Sequence, residues 1–216
     1  WTTLLGGKVM KVAKGGGAPV ELATGQTKAA GIALDATSVY WVTLGAGTVM
    51  KVAKAGGVPV TLASGQSGPD VIAVDATHAY WSTNTDGTIA SVLLGGGAPV
   101  TLATGQAGAD AVVLDAQNVY FSTLTPSGSI VKVPKAGGAT VTLASNLPSP
   151  DGLAVDATHA YFTTYDDGQV SKVPVGGGEV VVLAFGQSSP DGIAVDATHV
   201  YWANNVDGGA ILKTPR

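Results

Sequence analysis

The chain contains 216 residues, and its 31 glycines and 11 prolines would interrupt helices too often for an all-helical fold. Hydrophobic residues make up 45% and charged residues 12%, a balance that excludes intrinsic disorder and indicates a dense, weakly charged core. A net charge of −4 without a basic run argues against nucleic acid as a partner, the lack of cysteine excludes disulfides, and no apolar stretch reaches the roughly 20 residues of a membrane span.

Four short runs follow one another from Gly31. They read GIALD (31–35), VYWVT (39–43), TVMKV (48–52) and PVTLA (59–63). They are rich in β-branched and aromatic residues and are bounded by Gly, Asp or Pro, which predicts short strands. Loops as short as those between them join antiparallel neighbours. Each unit is therefore predicted to be a four-stranded meander, whose strands we call first to fourth in chain order.

The same pattern recurs every 40 or 41 residues, in units that begin near residues 1, 31, 71, 111, 152 and 192. Its marker is a pair of adjacent aromatic residues at Tyr40-Trp41, Tyr80-Trp81, Tyr120-Phe121, Tyr161-Phe162 and Tyr201-Trp202, with Trp1 at the same place in the first unit. Four strands in about 40–45 residues are typical of a propeller blade. We predict an all-β fold, a β-propeller of four-stranded antiparallel blades in a single domain (1–216), with the second aromatic of each pair between blades.

The number of blades follows from the strands, of which 22 are predicted. The first unit lacks a first strand and the last unit lacks a fourth strand, so a six-bladed ring would have an incomplete seam. We expect a truncated chain, an incompletely determined chain, or closure by another chain. A five-bladed ring is the alternative, but it leaves residues 200–216 without a place.

Acidic residues collect in the loops that are predicted to emerge on one face of the blades. Four precede the first strands and four lie between the second and third strands: Asp70, Asp110, Asp151 and Asp191, and Asp86, Asp166, Asp167 and Asp207. We predict that they surround one mouth of the central channel, bind a ligand there and concentrate cations. Oxygen-only ligands from the first four would suit Ca²⁺ as a cofactor, or an organic cation. The alternative is that each of these four accepts the N–H groups that begin its own strand.

Other repeated polar residues have simpler interpretations. Aspartates in the turn between the first and second strands are predicted to accept N–H groups of that turn: Asp35, Asp75, Asp115, Asp156 and Asp196. His78, His159 and His199 follow three of these turns and are expected to be solvated. Lysines of the third strands are expected to reach water: Lys11, Lys51, Lys132, Lys172 and Lys213.

The stretch GIAVDATHVYWANNVDGGAILK (192–213) resembles the repeat of the LDL-receptor class B, or YWTD, propellers, and the likeness extends to every unit. That resemblance implies six blades. The aspartate that ends the family motif is missing here, for example at Thr43, Thr83 and Asn204, so the receptor function of that family is not implied. The glycine-rich, charge-poor repeat also looks like bacterial extracytoplasmic propellers of the TolB and NHL sort.

Three functions stay open at this stage. The first is a non-catalytic binding or scaffold module, secreted or periplasmic, that meets a protein, a small molecule or a glycan at the loop face and associates with itself at the open seam. The second is a metal-assisted lactonase or lyase at the channel mouth, where only Lys28, Tyr165 and the Asp166-Asp167 pair break the repeat. The third is an engineered or recently amplified repeat protein without an evolved ligand. Near-identical units offer no set of different catalytic groups, which favours the first.

Overall fold

The computed structural model describes all 216 residues, Trp1–Arg216, and consists of strands and turns. It contains no helix that is long and apolar enough to cross a membrane. The chain divides into two compact units, Trp1–Gly105 and Gln106–Arg216. Each unit is built from three antiparallel sheets whose strands are hydrogen-bonded in chain order.

The first unit holds one three-stranded and two four-stranded sheets. Its strands are β1 (Thr2–Thr3), β2 (Lys8–Lys11), β3 (Val20–Ala23), β4 (Ala29–Leu34), β5 (Ser38–Thr43), β6 (Thr48–Ala53), β7 (Val60–Ala63), β8 (Pro69–Val74), β9 (His78–Thr83), β10 (Thr88–Leu93) and β11 (Val100–Ala103). Trp1 has the repeat position of the second-strand aromatic Trp41, and β1 follows it directly. The sheet β1–β3 therefore corresponds to the second, third and fourth strands of the repeat.

The second unit holds two four-stranded sheets and one three-stranded sheet. Its strands are β12 (Ala109–Leu114), β13 (Asn118–Thr123), β14 (Gly128–Pro134), β15 (Val141–Leu147), β16 (Pro150–Val155), β17 (His159–Thr164), β18 (Gln169–Pro174), β19 (Val181–Ala184), β20 (Pro190–Val195), β21 (His199–Asn204) and β22 (Ile211–Pro215). The sheet β20–β22 corresponds to the first, second and third strands of the repeat. All 22 predicted strands are therefore present.

The first strands begin earlier than predicted and contain a bulge. Pro150 pairs with Thr164 and Leu153 pairs with Phe162, so three steps along β16 oppose two steps along β17. The same shift separates Pro190 from Ile193 in β20. A bulge leaves its extra residues outside the regular ladder and redirects their side chains. Asp151 and its repeat partners consequently lie within the bulges, and not in the preceding loops as the sequence predicted.

The aromatic pairs form the core between successive sheets of each unit. In the first unit, Trp81 is fully buried against Tyr40 and Val49 of the preceding sheet. In the second unit, Phe162 packs with Tyr120 in the same way. Neighbouring residues of a strand point to opposite faces, so the tyrosine contacts the next sheet and the second aromatic contacts the previous one. The predicted inter-blade role of these aromatics is confirmed within the units.

The turn aspartates do what the sequence predicted. Asp156 Oδ1 accepts the N–H groups of Thr158 at 2.7 Å and His159 at 2.9 Å, and Oδ2 accepts the Tyr161 hydroxyl at 2.8 Å. The same arrangement joins Asp35 to Tyr40, where the tyrosine hydroxyl and the turn N–H groups lower the pKa of Asp35 to about 2. The tyrosine bond ties the turn to the second strand.

Two contacts between sheets were not predicted. Three lysines of the third strands donate to a backbone carbonyl of the next sheet: Lys11 to Lys54 O at 2.6 Å, Lys51 to Leu94 O at 3.1 Å, and Lys132 to Val175 O at 2.6 Å. The expectation that the ammonium groups simply reach water is therefore wrong for these three. In addition, Gln66 Oε1 accepts the indole N–H of Trp81 at 3.2 Å.

Candidate functional site

The acidic residues lie along one edge of the sheets. Antiparallel order puts the starts of the first strands and the loops between second and third strands at the same edge, whereas the turns with the histidines lie at the other. In the second unit we call the set Asp151, Asp166, Asp167 and Asp191 the acidic edge. Asp151 and Asp191 occupy the bulges of β16 and β20, and the other two lie in the loop between β17 and β18.

Asp151 is the most unusual of these residues. Its side chain is half-buried and accepts no hydrogen bond. Burial, together with the negative charge of Asp191, raises the pKa of Asp151 from 3.8 to about 6. A carboxylate that loses water without gaining a donor or a cation costs free energy. The site therefore favours any ligand that brings positive charge or a proton to Asp151.

The alternative interpretation, that these aspartates accept the N–H groups of their own strands, fails at two positions. The N–H of Gly152 donates to Thr163 Oγ1 at 2.9 Å, and that hydroxyl in turn donates to the carbonyl of Asp191 at 2.9 Å. In the first unit the N–H of Val71 donates to Ser82 Oγ at 3.3 Å. Hydroxyls of the second strands thus satisfy the bulged backbone, and the carboxylates stay available.

Asp70 repeats this environment in the first unit. It lies in the bulge of β8, where Pro69 pairs with Thr83 and Ile72 with Trp81. Its carboxylate is half-buried, and burial raises its pKa. Asp110 occupies the same bulge position in β12, where Ala109 pairs with Thr123.

The loop aspartates are different because most of them have donors of their own. Asp86 accepts the hydroxyl of Thr83, so it closes its own loop. Asp167 accepts the Thr164 hydroxyl and, at 2.8 Å, the amide of Gln169. These two have a structural role that the sequence prediction did not separate from binding.

Asp166, Asp191 and Asp207 remain in exposed or partly exposed positions. Asp166 Oδ2 accepts the Ser149 hydroxyl at 2.6 Å, which ties the loop between β17 and β18 to the segment that precedes Asp151. Asp191 Oδ2 accepts the amide of Asn205 at 3.3 Å. Asp207 is exposed in the loop between β21 and β22.

No group of three or more histidine, aspartate or glutamate side chains is placed closely enough to hold a metal ion. The three histidines each share a hydrogen bond with the preceding threonine, at 2.8 Å for His78 and His159 and at 2.7 Å for His199. Their rings lie about 6 Å from the tyrosine of the same turn. The histidines therefore belong to the turns.

A cavity of about 760 Å³ lies away from the acidic residues and is lined by residues of the first two sheets of the first unit. Its lining is mainly apolar, with Trp1, Met10, Leu22 and Ile32 among the residues that form it. None of the predicted ligand-binding aspartates contributes to it.

Sequence reasoning missed the groups that hold the bulges and the edge in place. Thr163 and Ser122 use their hydroxyls to bind the carbonyls of Asp191 and Asp151, at 2.9 and 3.0 Å. Gln187 accepts the indole N–H of Trp202 at 3.0 Å. The signal for the glutamines was in the sequence, as a Gly-Gln pair that precedes several of the first strands, as at Gly186-Gln187.

Comparison with known proteins identifies the fold. No protein-family model matches this sequence, and no curated protein matches it either. Among solved structures, a chain of a nidogen/laminin complex is similar at 19% identity and a TM-score of 0.77, over 91% of this chain and 80% of the other. Virginiamycin B lyase from Staphylococcus aureus is similar at 14% identity and a TM-score of 0.79, over 100% of this chain and 79% of the other.

Regucalcin from Agrobacterium tumefaciens, described as a calcium-binding protein, is similar at 18% identity and a TM-score of 0.67, over 87% of this chain and 70% of the other. Identities this low establish a shared fold and not a shared activity. With six antiparallel sheets of three or four strands, the chain has the β-propeller fold that its repeat predicted.

Proposed function

We propose that this protein is a non-catalytic binding or scaffold module that works outside the cytoplasm and takes up a positively charged group at its acidic edge. The observation that carries the proposal is the environment of Asp151. Its carboxylate is half-buried, accepts no hydrogen bond and lies near a second carboxylate, that of Asp191. A cationic group from a protein partner or a small molecule would replace the lost water and relieve the repulsion between them. The extracytoplasmic location rests on the resemblance of the repeat to bacterial propellers.

The residues around Asp151 and Asp191 support the binding of a cationic ligand group. The hydroxyl of Ser149 joins Asp166 to the segment that leads into Asp151, so these two carboxylates are held in a connected arrangement. Ser149 and Ser189 have positive φ angles of 50° and 51°, a conformation that is strained for a residue with a side chain. Both precede a bulged strand, and they direct the aspartates that follow. A fixed arrangement of charges reduces the entropy that a ligand must lose on binding.

The direct test measures binding of a pentalysine peptide by calorimetry at low ionic strength, with the parent protein, D151N and D191N. We expect binding to the parent and a loss of at least tenfold in affinity for each variant. E179Q is the matched control, because Glu179 is an exposed acid in the turn between β18 and β19, at the opposite edge. Equal affinity for D151N and E179Q would show that the peptide responds to net charge alone and would refute the acidic edge as the site.

A metal-assisted lactonase or lyase is the second candidate. It is favoured by the asymmetry of the loop that contains Tyr165, which is 39% exposed and stands next to the Asp166-Asp167 pair. Virginiamycin B lyase and regucalcin, which is described as a calcium-binding protein, are similar to this chain in fold. In this protein the neighbouring carboxylates of Asp151 and Asp191 would supply part of the oxygen ligands, which suit Ca²⁺.

Calorimetric titration with CaCl₂ and MgCl₂ separates the two candidates. Binding of either ion with an affinity that D151N reduces would support the metal-assisted enzyme and justify assays with lactone substrates. If neither ion gives a binding heat, the metal-assisted enzyme is excluded and the binding module is retained. A protein that binds neither ions nor pentalysine behaves as a repeat protein without an evolved ligand.

A further inference from the structure

Asp-Gly is the dipeptide in which an aspartate most readily rearranges, and this chain contains five copies of it. Glycine has no side chain to hinder the approach of its nitrogen to the carboxyl group of the preceding residue. Two of the copies, at Asp151 and Asp191, lie inside strands β16 and β20, where strand pairing fixes the backbone. The other three, at Asp86, Asp167 and Asp207, lie in loops between second and third strands and can be compared directly.

Two of these three loops hold both groups of the dipeptide by hydrogen bonds. Asp86 accepts the hydroxyl of Thr83, and the N–H of the following glycine donates to the carbonyl of Thr83 at 3.0 Å. Asp167 accepts the hydroxyl of Thr164, and the N–H of the following glycine donates to the carbonyl of Thr164 at 3.1 Å. In each loop a single threonine therefore restrains the carboxylate and the nitrogen.

The third loop lacks both restraints because its sequence differs. Asn204 stands at the position of the threonine, and the loop is longer than the other two. The carboxylate of Asp207 accepts no hydrogen bond, and the N–H of Gly208 donates none. The carbonyl of Asn204 accepts the N–H of Val206 at 3.1 Å instead. Both groups of this dipeptide are therefore free to move.

Exposure and glycine conformation do not separate the three loops. All three aspartates are exposed, and the glycines that follow them have φ angles of 64°, 65° and 71° in chain order. The hydrogen bonds to the threonine are what differs, and such bonds must open before a loop can change its conformation.

We propose that Asp207 is a site of spontaneous isomerisation to isoaspartate. The backbone nitrogen of Gly208 attacks the side-chain carboxyl carbon of Asp207. A C–N bond forms, and the hydroxyl of the carboxyl group leaves with the amide proton as water, which gives a five-membered succinimide ring. Water then opens the ring: cleavage of the bond from nitrogen to the main-chain carbonyl carbon gives isoaspartate, and cleavage of the bond to the side-chain carbon returns aspartate. The water released in the first step is taken up in the second, so no oxidant or reductant is needed.

The product keeps its negative charge and has one additional methylene group in the main chain. This loop contacts the acidic edge, since the amide of Asn205 donates to Asp191 Oδ2 at 3.3 Å. Isomerisation therefore changes the backbone two residues away from a group that holds Asp191. The inference does not depend on what binds at the acidic edge, because the reaction involves only the loop and water.

The test incubates the folded full chain at pH 7.5 in water labelled with heavy oxygen and follows each Asp-Gly site by tandem mass spectrometry of its peptides. Every succinimide that opens takes up one labelled oxygen, whichever product results, so the label reports ring formation. We expect Asp207 to take up label about tenfold faster than Asp86 and Asp167, because hydrogen bonds must open first at those two sites. In urea the three rates should converge, because all three sites contain the same dipeptide.

A threonine variant tests the cause. T83V removes the hydroxyl that holds Asp86 and should raise the labelling rate at Asp86, while Asp167 in the same molecule keeps the parent rate as an internal control. A thermal melt establishes that T83V is folded, and the comparison of sites in the parent needs no variant. Equal rates at the three sites of the folded parent, a faster rate at Asp207 that persists in urea, or an unchanged rate at Asp86 in folded T83V would overturn the proposal.

Discussion

Replacing Asp151 by asparagine should stabilise the protein at neutral pH. A folded-state pKa above the ordinary value means that folding favours the neutral carboxyl over the carboxylate. The free-energy cost of burying the ionised Asp151 is therefore absent below pH 4, grows between about pH 4 and pH 6, and is constant above pH 6. The rise from 3.8 to about 6 corresponds to about 3 kcal/mol at 1.36 kcal/mol for each pH unit. Because the carboxylate is only partly shielded from water, screening reduces this to about 1 kcal/mol.

The assay is urea unfolding of the parent and D151N at pH 7.5 and at pH 3.5, followed by tryptophan fluorescence. D151N should be more stable by about 1 kcal/mol at pH 7.5, a rise of about 2–4 °C in Tm for a chain of this size, and should equal the parent at pH 3.5. D35N should change the free energy of unfolding in the opposite direction, because hydrogen bonds to Asp35 lower its pKa to about 2. This variant should therefore lose stability at pH 7.5. A D151N protein that is less stable than the parent at pH 7.5 would show that the carboxylate has a structural donor, and the reasoning would fail.

Two further predictions concern the contacts between sheets. Q66L leaves the buried indole N–H of Trp81 without an acceptor and should cost about 1–3 kcal/mol, whereas the same change in a W81F background should cost much less; equal costs in a double-mutant cycle of urea midpoints would exclude the bond as the cause. A Cβ at Gly152 would lie 2.1 Å from the carbonyl oxygen of Asp191, while a Cβ at Gly192 would meet nothing within 4 Å. G152A should therefore lower the thermal midpoint by several degrees and G192A should leave it nearly unchanged, and the reverse order would contradict the close approach of β16 and β20.

Strand number, strand order and turn chemistry could be predicted from the sequence because each depends on local groups. The carboxylate of Asp156 and the N–H groups that it accepts lie within three residues of one another, so the sequence contains the whole motif. The acceptor of Lys132 is a backbone carbonyl 43 residues away, which leaves no trace in residue type. Side-chain hydrogen bonds of this kind depend on how two sheets pack, and the repeat could show only that they pack.

The repeat pattern grouped eight aspartates as one ligand-binding set at a channel mouth, and that grouping stays a prediction. It could not distinguish Asp86, which accepts the hydroxyl of its neighbour Thr83, from Asp151, which has no donor. That difference comes from the bulge of β16 and from the hydroxyl of Thr163, which takes the N–H that the carboxylate was expected to bind. A bulge depends on register, and register is fixed by pairing with another strand.

Amide chemical-shift mapping with pentalysine locates the bound peptide rather than only detecting it. We expect the largest shifts at Asp151 and Asp191 and in the loop between β17 and β18. The turns that begin at Asp156 and Asp196, at the opposite edge, should stay unchanged. Shifts that concentrate in those turns, or that spread evenly over all acidic residues, would contradict binding at the acidic edge.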